Sequence, residues 1–390
     1  MDNKTSLESG IDFELTEELR MLKETARDFA ESEIKPVVMK YDEAQEFPRE
    51  IVKKMGELGF LGATIPSELE GAGLSPVEFV IIMEEIARVD PSVGLIMAAH
   101  SGLCLHHIAT FGNEEQKKRY VPDLATGRKI GSWCLTEPGS GSDSSRLTST
   151  ALPEGDFYIL NGTKSFITNG TVASTYVVLA KTDPSKGNKG ISAFIVEREM
   201  KGVSVGKKEN KLGMRASDTA IMIFDEVRVP KSNLIESEGE GFKQALGVLD
   251  SGRVGIAALS VGLGQGALDA ALKYAKERQA FGRPIVDFQG IQFKLADMAT
   301  EIQAARLLTY RAAMVEANGG DLNMLAAHAK VYASEAAVRA ATEAVQIHGG
   351  YGYIKDFPVE KFYRDAKLLT IGEGTTEVQK IVISKNLLRT

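Results

Sequence analysis

The chain has 390 residues, of which 43% are hydrophobic and 25% charged, as in an ordinary soluble globular protein. This length exceeds what one compact core usually holds, so two or three domains are expected. The net charge of -7 and the pI near 5.5 argue against a nucleic-acid-binding protein, which normally presents a basic face.

Residues 1–10, MDNKTSLESG, contain neither the apolar core of a secretory signal nor the Arg-rich, acid-poor pattern of a transit peptide. No stretch is expected to span a membrane, because the apolar patch over residues 93–99 is too short. The chain has two cysteines, Cys104 and Cys134, which form no disulfide framework and favour a reducing compartment. We therefore expect a cytoplasmic protein without membrane insertion.

The first third of the chain is predicted to be helical. Thr16 reads as a helix cap, with Leu15 before it and the acids Glu17 and Glu18 in the first turn. Leu19, Leu22, Ala26 and Phe29 then form one apolar stripe. Further helices are predicted over residues 48–58, 75–88 and 92–111. We assign residues 1–125 to an N-terminal α-helical domain.

The pattern then changes to short β-rich runs separated by turn residues. Strands are predicted over residues 157–160, 163–168, 176–181, 191–197 and 220–229. Asn161-Gly162 lies between the first two and is a strong signal for a type I′ hairpin turn. We assign residues 126–238 to a small β-barrel domain.

Helical periodicity returns after Gly239. Helices are predicted over residues 241–276, 288–317, 321–345 and 375–388. Residues 239–390 are therefore expected to form an antiparallel four-helix bundle. The fold class is α+β multidomain, in the order α-helical domain, β-barrel domain, four-helix bundle.

Two motifs resemble ligand-binding sites, but a structural role explains each of them better. Gly262, Gly264 and Gly266 lack the G-x-G-x-x-G spacing and follow no strand, so they predict close helix packing. His106 and His107 are adjacent and point to different faces of a helix, with no acid or Cys at ligand spacing. We expect no metal site.

Four glycine-rich stretches carry the functional signal: WCLTEPGSGSD (residues 133–143), KERQAFGRPI (276–285), QIHGGYGY (346–353) and TIGEGTTE (370–377). The first offers backbone N–H groups and hydroxyls to an oxygen-rich ligand. Taken singly, these stretches also suit a surface loop, a helix C-cap or a first-turn acid.

Together these stretches resemble the signatures of the acyl-CoA dehydrogenase family, and the resemblance extends over essentially the whole chain. Residues 136–143 match [ST]-E-x-x-[GSAN]-G-[ST]-D, residues 278–282 match R-x-x-F-G, residues 346–353 match Q-x-x-G-G-x-G-[FY], and residues 373–377 match E-G-T-[ST]-E. The resemblance implies the same three-domain fold, usually as a homotetramer, with FAD as cofactor and an acyl-CoA as substrate.

The resemblance also implies roles for particular residues. Glu373 would be the catalytic base. The acyl-CoA would contact Ser142, Asp250, Arg253 and Gly374. One subunit's FAD would contact Trp133, Leu135, Thr136, Gly141, Ser142, Phe166, Thr168, Thr375 and Glu377. The FAD bound mainly by the neighbouring subunit would contact Arg278, Phe281, Gln289, Gln346, Gly349 and Gly350.

The family reaction removes the α-proton to a carboxylate and the β-hydride to FAD, which gives a 2,3-enoyl-CoA. A desolvated Glu373 should have a raised pKa that suits this task. In some branched-chain members the base lies on a long helix, at the position of Gly252 here. The expected electron acceptor is an electron-transferring flavoprotein, and the expected setting is a bacterial-type cytoplasm.

Three departures from the family pattern bear on specificity. Gly372 replaces a tyrosine that often precedes the base, which favours short, branched or cyclic acyl groups. Phe166 replaces a frequent tryptophan, and Arg146 replaces a small residue. Asp90 is first interpreted as a helix cap, and alternatively as a second acid that would allow 1,4-elimination from a cyclic enoyl-CoA.

Other classes stay open at this point. An acyl-CoA oxidase, a flavin monooxygenase relative, a DNA-binding relative and a non-catalytic scaffold share the fold. The short chain without an added domain favours a dehydrogenase over an oxidase, and the acidic balance disfavours DNA binding.

Overall fold

The computed structural model describes residues 15–388. The interpretation of residues 1–10 as lacking a targeting segment therefore lies outside the described residues. Helices occupy both ends of the described chain, and a single large β-sheet lies between them. This is the predicted order of structure. The domain limits at residues 125/126 and 238/239 stay a prediction.

The N-terminal region is helical, as predicted. Its helices are α1 (Glu17–Phe29), α2 (Val38–Ala44), α3 (Arg49–Glu57), α4 (Pro76–Val89), α5 (Pro91–Met97), α6 (His106–Phe111) and α7 (Glu114–Ala125). The Thr16 side chain caps α1 by accepting from the backbone N–H of Leu19 at 3.3 Å. A π-helical stretch, Ala98–Leu105, joins α5 to α6 in one continuous helical rod, and such stretches are frequent at functional sites.

We expected no stretch of the chain to be long and apolar enough to span a membrane. By the criteria of length and composition alone, this expectation was wrong. Two helical segments, Pro91–Phe111 and Gly241–Glu277, are long and apolar enough. The patch at residues 93–99 is only the first part of the first segment. For each segment, 72% of the apolar window is buried inside the protein, which is the position of a core helix.

The central region is built on one eight-stranded sheet. Its strands are β1 (Gly131–Cys134), β2 (Thr150–Glu154), β3 (Phe157–Thr168), β4 (Thr175–Lys181), β5 (Ile191–Glu197), β6 (Val203–Lys208), β7 (Thr219–Pro230) and β8 (Leu234–Ile235). The order is β6-β7-β3-β2-β4-β5-β8, with β1 parallel to β4. Alternation along β4 places Val178 in the core of the sheet and Val177 against the helices.

The predicted hairpin at Asn161-Gly162 is absent, because β3 runs straight through this dipeptide. Its partner is β7, and the pairing shifts register between Leu160 and Gly162. A Cβ atom at Gly162 would lie 2.0 Å from the Ser149 Oγ. Glycine is therefore required here by the close approach of Ser149 at a bulge, not by a turn.

The C-terminal region contains all four predicted helices and one more. They are α8 (Gly241–Glu277), α9 (Gln289–Ala317), α10 (Asn323–His348), α11 (Val359–Leu369) and α12 (Thr376–Leu387). Helix α11 was not predicted. The small residues of α8 pack against α4: a Cβ atom at Gly262 would lie 2.3 Å from the Glu84 carbonyl oxygen, and one at Gly266 would lie 2.1 Å from that of Arg88. The packing interpretation of these glycines is confirmed.

One buried lysine ties the three regions together. The Lys361 ammonium on α11 donates to Asp90 at 2.7 Å and to Asp365 at 2.6 Å. Asp365 also accepts from the backbone N–H of Met214, in the loop between β6 and β7. Burial would lower the pKa of Lys361, but the two carboxylates raise it. Because a buried charge without its partner is costly, this cluster fixes where the three regions meet.

Candidate active site

Glu373 lies in the turn between α11 and α12 and has a left-handed backbone, with φ of 52°. Gly374 follows with φ of 94°. A glutamate at positive φ is uncommon, and such residues concentrate at functional sites. The next residue, Thr375, caps α12 by accepting from the Val378 N–H at 3.3 Å. The turn thus places the carboxylate against α8.

The carboxylate of Glu373 occupies the space that a side chain at Gly252 would need. A Cβ atom at Gly252 would lie 2.3 Å from Oε2 of Glu373 and 2.9 Å from Cδ2 of Leu103. The Glu373 carboxylate can therefore lie here only because residue 252 is glycine. This also means that an acid on α8 at this position would collide with Glu373.

One oxygen of the Glu373 carboxylate is shielded from water, and its charge is only weakly compensated. Glu373 is partly exposed as a residue, but its Oε2 is inaccessible and has no hydrogen-bond partner among the described residues. This burial raises the pKa of Glu373 to about 7, and Lys330 and Arg253 act in the opposite direction. A carboxyl group with this pKa can both accept and release a proton near neutral pH.

Two predicted substrate contacts lie beside Glu373 on α8. Arg253 forms an ion pair with Asp250, and Asp250 also accepts from the Asn323 side chain at 3.1 Å. The Arg253 Nε is buried without a partner among the described residues. This donor is therefore unused among the described residues. Ser142, the third predicted side-chain contact to the substrate, lies on an exposed loop.

The backbone supplies a further free donor. Within residues 15–388, the N–H of Glu373 makes no hydrogen bond, whereas the neighbouring N–H groups of Gly372 and Thr376 both do. An unpaired N–H beside a base can bind an oxygen on which negative charge develops.

The predicted flavin residues of β1 and β3 lie side by side. The N–H of Ser165 donates to the Thr136 carbonyl at 2.8 Å, and the Ser132 hydroxyl donates to the Thr168 carbonyl at 2.6 Å. Between these contacts, Phe166 has a left-handed backbone with φ of 57°. Its side chain is 68% exposed. The strained bulge thus presents an aromatic face to a ligand.

Trp133 is held by a buried histidine. Its indole N–H donates to Nδ1 of His107 at 3.0 Å, and Nε2 of His107 faces the Gln244 amide oxygen at 3.1 Å. Burial lowers the pKa of His107 to about 4, so this ring is neutral. His107 therefore positions Trp133, a role that was not predicted from the sequence.

The loop after β1 is fixed by Glu137, an acid of the first signature that was not assigned a role. Its carboxylate accepts from the N–H and hydroxyl groups of Thr148 and Ser149 and from Lys164 at 2.8 Å. Burial would raise the pKa of Glu137, but Lys164 and these hydrogen bonds lower it to about 2. Glu137 therefore stays ionised and shapes the loop.

The outer part of this loop is open. Gly141 and Ser142 are exposed, and no atom lies within 4 Å of the position of a Cβ atom at Gly141. Arg146 is exposed and pairs with Asp143 at 2.9 Å. Backbone N–H groups, hydroxyls and the Phe166 ring thus form a surface that fits the flavin ring of FAD.

The second predicted cofactor group lies on the outer surface. A short hairpin of β9 (Gln279–Ala280) and β10 (Arg283–Pro284) follows α8. Its turn residues, Phe281 and Gly282, both have positive φ, as a type I′ turn requires. Phe281 is 96% exposed as a result. Taken singly, this stretch was also compatible with a helix C-cap, but the hairpin itself was not predicted.

A cavity of about 440 Å³ lies close to this hairpin and includes Arg278, Gly349 and Gly350 in its lining. The Arg278 guanidinium lies over the Tyr351 ring at 5.6 Å. Gln289 and Gln346 are exposed, as is Glu377 at the start of α12, whereas Thr375 is partly buried. Of the predicted residues, Arg253, Gly374 and Thr375 thus lie close to Glu373, and Arg278, Gly349 and Gly350 line the cavity at the surface.

Asp90 does not join either site. Its Oδ1 accepts from the Ser92 N–H at 2.9 Å, as the cap of α5, and from Lys361. Its described contacts do not include Glu373. The interpretation as a second acid at the acyl pocket is therefore corrected to that of a cap inside the buried lysine cluster. Residues 15–388 contain no group of three or more His, Cys, Asp or Glu residues arranged to hold a metal ion.

Two residues around the base were not predicted. Lys330 on α10 is fully buried and donates to the Gly374 carbonyl at 2.7 Å. Gln379 on α12 donates to the same carbonyl at 2.9 Å and to that of Glu373 at 3.3 Å. A lysine on an alanine-rich helix face was the available signal for Lys330.

Comparison with known proteins identifies the family. Three consecutive segments match the acyl-CoA dehydrogenase family: residues 16–128 its N-terminal domain, 132–227 its middle domain and 239–388 its C-terminal domain. The chain therefore belongs to the acyl-CoA dehydrogenase family, and it is an FAD-dependent oxidoreductase of the acyl-CoA dehydrogenase type.

Individual relatives match over nearly their full length. A Clostridium acetobutylicum protein named "Acyl-CoA dehydrogenase, short-chain specific" is 48% identical over 97% of this chain and 100% of its own. The butyryl-CoA dehydrogenase structure from Megasphaera elsdenii is 42% identical, with a TM-score of 0.95 over 97% of this chain and 100% of its own. A chain from a structure described as the electron transferring flavoprotein of Acidaminococcus fermentans is 49% identical, with a TM-score of 0.96 over 97% and 100%.

The contact between Gly252 and Glu373 gives a steric prediction. In Gly252→Ala, the added methyl group displaces the carboxylate, so kcat/KM should fall by about 100-fold, the scale of a 1 Å misplacement. FAD content, read from the flavin absorbance, should stay normal. The measurement is steady-state turnover with a CoA thioester and an artificial electron acceptor.

The matched control is Gly247→Ala on the same helix, where the only atom near an added Cβ is Cζ of Phe111 at 3.8 Å. This variant should keep its activity. Near-normal turnover of Gly252→Ala with bound FAD would show that the carboxylate does not work from this position.

Proposed function

We propose that Glu373 is the base of this acyl-CoA dehydrogenase and that the substrate is a short, branched or cyclic acyl-CoA. The observation that carries the proposal is the shielded, unpartnered carboxylate oxygen Oε2 of Glu373, in a carboxyl group that Lys330 and Arg253 influence by their charges. An α C–H of a thioester is a weak acid, so the base must be poised near working pH. The carboxyl group of Glu373 meets this condition.

FAD, when bound, accepts the hydride that the substrate loses from its β-carbon. The β1 loop and Phe166 would hold it. Glu373 would receive the α-proton on its carboxylate. The thioester oxygen, where negative charge develops, would accept from the free N–H of Glu373. Base and donor therefore belong to one residue, whose left-handed backbone directs both at the substrate.

Arg253 and Asp250 are proposed to bind the CoA part of the substrate. The buried, unpartnered Nε of Arg253 is a donor for this purpose, and Asp250 fixes the guanidinium. Gly374 allows the thioester to approach the backbone.

The substrate class is supported by relatives and by Gly372. The similar proteins from C. acetobutylicum and M. elsdenii are named for short-chain and butyryl-CoA substrates. Gly372 lies directly before the base, and an added Cβ would meet only the Leu368 carbonyl at 3.7 Å and Cδ1 of Leu368 at 4.0 Å. This open space beside Glu373 can take a branch or a ring.

The proposed electron acceptor is an electron-transferring flavoprotein, which the description of the A. fermentans structure names. A homotetramer is supported by the exposed aromatic side chains of the outer site, such as Phe281 at 96% and Tyr353 at 88% exposure. The predicted contacts there are made to a neighbouring subunit's FAD. A cytoplasmic location is supported by the free, buried thiols of Cys104 and Cys134.

The catalytic role of Glu373 is tested by Glu373→Gln, which keeps the shape but cannot accept the proton. Turnover should fall by about 10³-fold or more, while FAD stays bound. The variant should also lose a pH effect on stability. In the wild type, Glu373 has a raised pKa in the folded state, so the stability that it contributes is present below pH 4.5 and is lost as the pH rises through about 7.

Thermal unfolding of both holoproteins between pH 5 and pH 8 should therefore show Glu373→Gln gaining Tm relative to the wild type as the pH rises. Turnover near the wild-type rate would sink the assignment of the base.

The substrate class is tested at Gly372. Gly372→Tyr fills the open space, so kcat/KM for branched and cyclic acyl-CoA substrates should fall at least about tenfold more than for butyryl-CoA, the scale of a pocket mismatch. Gly372→Ala, which adds one methyl group, is the graded control. An equal loss on all thioesters would show that position 372 does not line the acyl pocket.

A further inference from the structure

Lys330 is the most deeply buried charged group beside the base. It lies on α10, is 0% exposed, and donates to the Gly374 carbonyl at 2.7 Å. The residues Lys330 and Gly374 are 44 positions apart in the chain, so this contact attaches the turn before α12 to α10. A buried lysine is costly unless its charge and its donors are used.

The carbonyl that Lys330 binds belongs to the turn that carries the base. Glu373 and Gly374 both have positive φ. The peptide groups that follow these two residues therefore depend on hydrogen bonds from side chains outside the turn. The Gly374 carbonyl receives two, from Lys330 at 2.7 Å and from Gln379 at 2.9 Å. Gln379 reaches it from α12 itself, whereas Lys330 links it to α10. Just after the turn, the Thr376 hydroxyl makes a second link to α10 by donating to Glu335 at 2.8 Å.

Lys330 also contributes to the charge balance of the base. Besides Glu373, the charged groups that act on Lys330 are Arg253 on α8, Glu335 on α10 and Glu377 on α12. Burial lowers the pKa of Lys330 to about 8, so the ammonium form is still present at neutral pH. Glu373 is influenced by two cations, Lys330 and Arg253, and Arg253 is already paired with Asp250.

We infer that Lys330 is a positioning residue for the base: its ammonium group holds the Gly374 carbonyl, and with it the left-handed turn that presents Glu373, and so places a buried cation beside the residue that carries the carboxylate. The inference rests on the proposed role of Glu373. It does not give Lys330 any contact with the substrate or the cofactor.

Two variants separate the two parts of this role. Lys330→Met removes both the donor and the charge. The acid limb of the pH profile of kcat/KM should move up by about one unit, the lower end of the effect of an opposite charge nearby, and kcat should fall at least tenfold. Gln379→Met removes the other donor to the same carbonyl without changing the charge. It should lower kcat and leave the acid limb in place.

The matched control is Lys294→Met, which removes a partly exposed lysine that pairs with Glu343 across α9 and α10. It should change neither kcat nor the pH profile. Lys330→Arg, which restores the charge, should return the acid limb towards the wild-type position. If Lys330→Met does not bind FAD, Lys330→Gln, which keeps a donor but no charge, is measured for the shift of the acid limb.

A readout without turnover is the infrared C=O stretch of protonated Glu373, identified by its absence from Glu373→Gln. Its titration midpoint should also move up in Lys330→Met. An acid limb and midpoint at the wild-type position, in Lys330→Met or in its substitute Lys330→Gln, would overturn the inference. Full activity of Glu373→Gln would instead reject the proposed base, so the two failures are distinguishable.

Discussion

The proposed chemistry of this protein depends on one costly arrangement, a carboxylate with one oxygen buried without a hydrogen-bond partner. Glu373 reaches this position because Gly252 leaves its volume empty and because the turn at residues 373–374 adopts two left-handed conformations. A side chain at residue 252, or a right-handed turn at residues 373–374, would each return the Glu373 side chain to water or to a hydrogen-bond partner. The desolvation that results raises the pKa of Glu373 to about 7, which makes a weak acid into a usable base.

The same fold treats a second carboxylate in the opposite way. Glu137 accepts hydrogen bonds from Thr148, Ser149 and Lys164, which lower its pKa to about 2. It therefore stays charged and shapes the flavin loop. The buried cluster of Lys361, Asp90 and Asp365 joins the three regions whose surfaces form the site. The paired charges thus fix the relative positions of the three regions, and the unpaired carboxylate of Glu373 is the proposed base.

The sequence predicted most helices and the order of the regions, because apolar periodicity and caps such as Thr16 are local signals. The four glycine-rich stretches indicated the base and the cofactor surfaces by resemblance. The predictions that failed did so because residues far apart in the sequence come into contact in the fold. Gly162 resembled a turn residue, but it is required by contact with Ser149. Asp90 resembled a possible acid, but Lys361, 271 positions away, engages it. Lys330 was missed, because a lysine among alanines was its only local signal and its contact exists only once α10 meets the turn at Gly374.

The most direct test of this account is the ionisation of Glu373 itself in the resting holoenzyme. Infrared difference spectra of wild type and Glu373→Gln, recorded across pH, isolate the C=O stretch of the protonated Glu373 carboxyl group. The account predicts a titration midpoint near pH 7. A midpoint near 4.5, the ordinary value for a glutamate, would show that the carboxylate is hydrated or paired. This result would contradict a carboxylate that is shielded from water and lacks a partner.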